Sequence, residues 1–363
     1  LRALNLVGEC NIQYAVHPVT GEYKVIEENS RLSRSSALAS KATGYPIAYV
    51  TAKMALGYTL PEIINKTTKK PAGSLEPDVD YLVIKMPRWD FQKFRNLNRR
   101  LGTQMKSVGE VMSIAKTFEE ALQKAVRMVN SNRELTDPIG ETDIEIIKNE
   151  LANPTDERLF YIVEAIRRGI SIEEINKLTG IVPLFLEGIK RIVDFEEELK
   201  ASGLTQDTLR KAKMLGFSDK KIGKLFGKNE ITIRELRQIF NIQPAIKQIR
   251  TAKHWSEKAN YLYCTYNSNS TDDIDFTEPN KTIVLGSGCY RIGSSVEFDW
   301  CCVNTTWSLK KKGFNEVVMI NCNPETVSTD FDVLDKLYFE EITLERVLDI
   351  VSRENFPSVV VSV

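Results

Sequence analysis

Apolar residues recur at helical spacing through residues 131–265 with almost no other pattern, while the stretches on either side alternate strand-like and helix-like segments. A chain patterned this way cannot close around one sheet, and it must build α/β parts at both ends with an all-α part between them. The helical centre reads as DERLFYIVEAIRRG, SIEEINKLTG, FLEGIKRIVDFEEELKASG, TQDTLRKAKMLG, SDKKIGKLFG and TIRELRQIF, with Gly and Ser as caps. GISIEEINKLTG (169–180) and GFSDKKIGKLFG (216–227) share Gly, Ser, Ile, Lys, Leu and Gly in register, a weak duplication of a helical pair but too few copies for a solenoid. The polar run NSNSTDDIDFTEPN (267–280) reads as a linker. The 363 residues suffice for two or three domains.

The flanks are more detailed. NIQYAVHP and EYKVIEEN alternate around the turn residues Pro18-Val19-Thr20-Gly21, which predicts a hairpin. AYVTAKMALGY predicts a helix ending near Gly57, and DYLVIKMPR a strand stopped by Pro87. SVGEVMSIAKTFEEALQKAVRMV predicts an extended start followed by an amphipathic helix capped by Thr117. From residue 281 onward, KTIVLGS, EVVMINC, KLYFE and PSVVVSV are strands. SSVEFDWCCVNTTWSLKKKG and TLERVLDIVSREN are the helices between them, the pattern of a parallel sheet. The chain opens in a strand-like segment and stops in an apolar run, so both ends are expected to lie inside a longer polypeptide.

Charge excludes several functions. Lys+Arg and Asp+Glu are both 49, so nothing in bulk charge points to nucleic acid or an anionic membrane surface. GFSDKKIGKLFGKNEITIRELRQIF has the outline of a helix–turn–helix, but residues 131–250 hold 20 basic and 20 acidic side chains, without the positive excess that DNA binding needs. No apolar run reaches membrane-spanning length. The six cysteines form no CxxC pair and only two histidines exist, which argues against a zinc site. Scattered cysteines suit a reducing compartment, with cytoplasm the expectation, and adjacent Cys301 and Cys302 are expected to pack inside a buried helix.

Two constellations carry chemistry. If the hairpin strands are symmetric about Thr20, Gln13 lies opposite Glu27, and period-two alternation puts Glu27 and Asn29 on one face with Glu28 on the other. One carboxylate with two amides is a hard-oxygen set suited to Mg2+ held against phosphates. A helix starting near Ser33 or Ser35 would present free N–H groups beside Arg31 and Arg34, a cradle for a small anion. The same residues also fit a solvated polar face followed by a capped helix, and spacing alone does not separate the two. The second constellation is IVLGSGCYRIGSSVEFDW, where Gly286, Gly288 and Gly293 follow a strand and open a helix. A dinucleotide site is disfavoured, because the next strand ends in Asn321 and Asn323 where an acid would hold the ribose.

VIEENSRLSRSSALASKATGYP, with GYTLPEIINK and TQMKSVGEVM, resembles the ATP-grasp signature of carbamoyl-phosphate synthetase large chains, Ser30 standing where that family often has Pro. GSGCYRIGSSVEFDW with NCNPETVSTDFD is similar to the opening of the second synthetase half. The resemblance implies residues 1–130 as the C-terminal part of an ATP-grasp domain, 131–266 as an all-α oligomerisation domain, 267–280 as linker and 281–363 as a Rossmann-like pre-ATP-grasp domain. It implies that Gln13, Glu27 and Asn29 hold Mg2+ or Mn2+ at an ATP site and that Arg31 and Arg34 face bicarbonate or carboxyphosphate. It implies Ala37, Glu110, Glu297 and Glu325 as the lining of an interior passage for carbamate, each of which also has an ordinary reading as a packing residue, cap or turn carboxylate. Implied partners are a glutamine amidotransferase, fused pyrimidine-pathway domains and further copies of the chain, but no nucleic acid or membrane. A fragment of this extent is expected to be inactive alone. Two other readings remain: a different ATP-grasp ligase such as a biotin-dependent carboxylase, and a non-enzymatic helical interaction module.

Overall fold

The computed structural model describes residues 2–66, 68–74, 76–129, 133–141, 143–250, 260–269, 272–355 and 358–361. Parts of two sequence expectations, positions 270–271 of the linker and 357 and 362–363 of the last strand, lie outside the described residues.

Strands β1 (Asn11–Val16) and β2 (Tyr23–Asn29) form the antiparallel hairpin. His17 accepts the Gly21 N–H and donates to Glu22, and Gly21 takes φ +73°, which a residue with a Cβ rarely adopts. Helices α1 (Arg34–Thr43) and α2 (Ile47–Ala55) follow. Strand β3 (Leu82–Arg88) pairs antiparallel with β4 (Gly109–Ala115), and α3 (Phe118–Met128) starts at the Thr117 cap. The expectation that Pro87 ends its strand is corrected: Pro87 sits opposite Glu110 and β3 runs on to Arg88. In a two-stranded sheet β3 has a free edge, and a proline there removes no ladder hydrogen bond.

The helical centre consists of α4 (Ile144–Ala152), α5 (Arg158–Arg167), α6 (Ile172–Thr179), α7 (Pro183–Ser202), α8 (Gln206–Met214), α9 (Asp219–Leu225) and α10 (Glu230–Ile239). Ser171, Thr205, Ser218 and Asn229 cap their helices with side-chain oxygens. Ile147, Leu151, Ile162, Ile175, Leu186, Ile192, Leu199, Leu209, Ile222 and Ile233 share one core. Helical periodicity does not extend to residue 265: β5 (Ala245–Gln248) and β6 (Tyr261–Thr265) are strands. They join the C-terminal sheet, where Asp272 and Asp273 of the polar run accept from the Ile246 and Gln248 N–H groups.

That sheet has the order β10-β7-β8-β9-β6-β5, with β7 (Lys281–Leu285), β8 (Glu316–Asn321), β9 (Lys336–Phe339) and β10 (Val359–Val361). All its pairings are parallel except β5 with β6. Helix α11 (Val296–Lys311) places Cys302 and Val303 in the core of one face, with Val284, Val317 and Met319. Helix α12 (Leu344–Glu354) places Ile350 against the other, with Ile283, Val318 and Ile320. Two covered faces explain why these strands are unbroken apolar runs. Cys302 is fully buried as expected, but Cys301 is exposed, because α11 turns its opposite side to solvent.

The parts do not sit as beads on a string. Ala42, Tyr81, Met112 and Ile114 share the core of the α11 face, and Met112 donates its N–H to the Cys322 carbonyl. Where α3 and the helical centre meet the sheet, the joint is ionic and buried. Lys124 pairs with Glu340 at 2.6 Å with neither side chain exposed, and it also donates to the Ile114 and Cys264 carbonyls. Lys213 bridges Asp219 and Glu345, while Arg237 holds Asp219 at 2.7 Å and Asp349 at 3.2 Å. Such groups are tolerated only because nearly every charge meets a partner.

Candidate functional site

The hairpin register puts Gln13 directly opposite Glu27, with Asn11 opposite Asn29. A β-bulge between Gln13 and Tyr14 lets this half stay symmetric about Thr20, while the half nearer the turn is centred one half-residue earlier. Asn29 donates to Glu27 at 3.2 Å, and its Oδ1 accepts from Arg31 at 3.4 Å. Amide, acid, amide and guanidinium therefore form one row, exposed except at the half-buried Asn29. Glu28 belongs to the other face, where its carboxylate accepts from Ser30.

Ser33 caps α1 in a capping box with Ser36, so the helix starts where the sequence predicted. Ser36 in turn donates to Glu9 at 2.5 Å. Arg34, in the first turn, reaches across to Glu325 at 2.7 Å. Glu110, in β4, pairs with Lys85 of β3 at 2.8 Å. Burial pushes the Glu325 carboxyl above its ordinary range against the pull of Arg34, with Glu110 adding to the rise and Lys85 opposing it. Arg34, Glu110 and Glu325 thus gather from three separate stretches of chain. Ala37 lies half-buried one turn along α1. Glu297 is not bound into this group: it is exposed at the start of α11 and accepts from the Ser295 N–H at 3.0 Å. It is still within electrostatic reach of Tyr290, whose hydroxyl is raised by burial and by Asp299, Glu325 and Glu297.

Sequence reasoning missed Lys41. Its ammonium is buried on α1 and donates to the carbonyls of Pro324 and Thr326 at 2.8 Å and to Thr329 Oγ1 at 2.7 Å, with Asp330 at 3.0 Å. It fastens α1 to the loop that carries Glu325. The available signal was its position: it follows Arg34 by seven residues, on one helix face, in a helix otherwise made mostly of Ser and Ala.

Of the glycines after β7, Gly286 has a packing reason, while Gly288 and Gly293 take φ of +70° and +87°. A Cβ on Gly286 would stand 2.4 Å from Asn321 Cγ, and Asn321 Oδ1 accepts the Gly288 N–H. Asn321, which fails as a ribose ligand, instead shapes this loop. Asp90, beyond β3, accepts the Ile292 N–H and ties the loop to the N-terminal part.

A polar hairpin feeding a capped, arginine-bearing helix, an all-α unit and a parallel-rich sheet define a multi-domain chain of mixed α/β content. The family model for the carbamoyl-phosphate synthase L chain ATP-binding domain matches residues 1–63. The large-chain oligomerisation domain matches 110–241 and the preATP-grasp domain 278–363. The chain belongs to the carbamoyl-phosphate synthase large-chain family. It is 49% identical over 363 residues to the carbamoyl phosphate synthase large chain of Methanobrevibacter smithii, covering 99% of this chain and 34% of that protein. It is 50% identical to the mitochondrial arginine-specific large chain of Schizosaccharomyces pombe over all of this chain and 31% of that protein. It is 51% identical to the multifunctional protein pyrABCN of Emericella nidulans over all of this chain and 16% of that protein. The chain thus spans about a third or less of the relatives it matches. Among the described residues no helix is long and apolar enough to cross a membrane.

Proposed function

We propose that this chain is part of an ATP-dependent ligase that makes carbamoyl phosphate from bicarbonate, ammonia and two ATP, through carboxyphosphate and carbamate. The reading is carried by the row formed by Gln13, Glu27, Asn29 and Arg31, seated beside Arg34.

The donor set fits a hard divalent ion. It offers one carboxylate and two amide oxygens on an open face, with no sulfur or imidazole. Asn29 would turn its amide so that its oxygen joins Glu27, a rearrangement available to a side chain whose oxygen and nitrogen already serve both neighbours. Gln13, Glu27 and Asn29 would hold Mg2+ or Mn2+, which when bound neutralises phosphate charge. Arg31 supplies a fixed guanidinium next to that set, and Arg34 a second at the start of α1, where the N-terminal dipole adds to the attraction for bicarbonate or carboxyphosphate.

The Arg34, Glu110 and Glu325 group supports an enclosed passage beyond that site. Glu110 Oε1 and Glu325 Oε2 are buried without a hydrogen-bond partner among the described residues. Buried carboxylate oxygens left open in this way suit a path whose water or polar cargo satisfies them. Ala37 would keep its start wide, and Glu297 would stand at its exposed end. Glutamine amidotransferase as ammonia source, fused pathway domains, self-association through the helical centre and a cytoplasmic setting belong to the same proposal. In the complete protein, Glu27→Gln is expected to abolish bicarbonate-dependent ATP hydrolysis. Hydrolysis at the wild-type rate would refute the assignment.

A further inference from the structure

A second polar cavity is lined by none of the hairpin's residues. It measures about 410 Å³ and opens where β7, β8 and β9 end, bounded by Gly286–Cys289, Cys322 and Ile342–Leu344. Its opposite wall comes from the end of β3, the end of α3 and the starts of α9 and α10. Strand order β10-β7-β8-β9 means the chain first steps from β7 to β8 and β9 and then returns to the far side of β7. The loop after β7 is therefore at the switch point, where open α/β sheets leave a crevice beyond the carboxyl ends of their strands.

The lining is rich in charge. Five basic side chains (Arg88, Arg127, Arg133, Lys220 and Arg291) face two carboxylates, Glu134 and Glu230. Arg88, Arg127 and Arg133 are already committed, to Asp90, to Glu341 and to Glu157. Lys220 and Arg291 form no ion pair or hydrogen bond through their side chains among the described residues. Ser287 Oγ is buried at the cavity and has no hydrogen-bond partner there either. Helix α12 points its N-terminus at the same space, since Thr343 and Leu344 line it. A free hydroxyl, two free cations and a helix N-terminus converging on one cavity are complementary to a dianion. Among the described residues, Glu230 at the start of α10 has no hydrogen bond or ion pair of its own, and burial pushes its carboxyl upward with Glu345 reinforcing and Lys220 opposing. It offers an acceptor to a hydroxyl at the far end of the ligand.

We infer that this cavity binds a phosphomonoester of sugar-phosphate size, its phosphate on Ser287, Lys220 and Arg291 and its hydroxyls toward Glu230. This goes beyond the proposed reaction and uses none of its residues. The cavity is contributed by three parts of the chain at once, so occupancy would brace the joint between the helical centre and the sheet.

The test is calorimetric titration of this chain with ribose 5-phosphate and, separately, with inorganic phosphate. Saturable binding of the ester, tighter than that of phosphate, is expected, weakening as salt rises. A Lys220→Ala/Arg291→Ala double variant should lose about 10- to 100-fold in affinity, as expected for deleting charge-assisted contacts. Ser287→Ala should weaken binding without altering the thermal unfolding temperature in the absence of ligand, which guards against misfolding as the cause. Arg31→Ala/Arg34→Ala should leave it unchanged, so failure of the hairpin assignment and failure of this one are told apart. The inference is overturned if the wild-type chain shows no saturable binding, if the Lys220/Arg291 variant binds as well as wild type, if the Arg31/Arg34 variant is the one that loses binding, or if the ester binds no tighter than phosphate.

Discussion

Replacing Lys41 by methionine keeps most of the side-chain volume and deletes one charge and three hydrogen bonds at a position only 5% exposed. Removing one partner of a buried ion pair costs about 3–5 kcal/mol when the other partner is stranded away from water. Asp330 is not stranded, since its side chain is 44% exposed and recovers solvent, so the ionic part must be discounted. The carbonyls of Pro324 and Thr326 and the Thr329 hydroxyl lose a charged donor, each such bond worth about 1.5–3 kcal/mol before the cost of burying the ammonium is subtracted. That cost is real, because burial holds the Lys41 pKa below its ordinary value despite Asp330. The net loss is expected to be about 2–4 kcal/mol, measured by urea unfolding. Hydrogen exchange should locate it, with protection falling in residues 324–330 before the sheet strands. A loss under about 1 kcal/mol with unchanged exchange in that loop would refute the idea that Lys41 is what holds α1 to the Glu325 loop.

Further perturbations separate kinds of burial. Lys124→Met should cost about 3–5 kcal/mol by the same assay, more than Lys41→Met, because Glu340 is wholly buried and cannot regain water. Gly286→Ala should lower stability by about 1–3 kcal/mol, since the new methyl must displace Asn321, and amide exchange at Gly288 should rise with it. Burial alone would raise the Glu196 carboxyl, but Lys221, Thr136 and Arg167 outweigh it and hold it low. A depressed carboxyl stabilises above its unfolded pKa, about 4.5 for glutamate, and that contribution is lost as pH falls through the folded value. Thermal unfolding of the wild type should therefore fall more steeply than that of Glu196→Gln below about pH 4.5.

How far the sequence could be read depended on how local the deciding contacts were. The hairpin register followed from alternation and a turn, and even its bulge left the Gln13–Glu27 pairing where symmetry put it. The Ser33 and Thr117 caps were equally local. Strands β5 and β6 were less legible, because what seats their antiparallel pair in the sheet is the pairing of β6 with β9, more than seventy residues further on. Pro87 misled because the edge position that tolerates it is a property of the sheet, not of the segment. The least legible feature was the ionic joint. Lys124, Lys213 and Arg237 occupy helix positions that read as solvent-facing, and only the docking of another part of the chain makes them interior. At the candidate site, Glu27, Asn29 and Arg31 could be placed from spacing, whereas the meeting of Arg34 with Glu325 spans nearly three hundred residues.

Because β6 is hydrogen-bonded to β9, a truncation that begins after the polar run would leave β9 with a bare row of N–H and C=O groups along an apolar strand. Such a piece would be prone to recruit a neighbouring copy to fill the gap. A soluble C-terminal unit would have to start upstream of residue 245, so the stretch that connects two halves in sequence is, in three dimensions, already part of what it leads to.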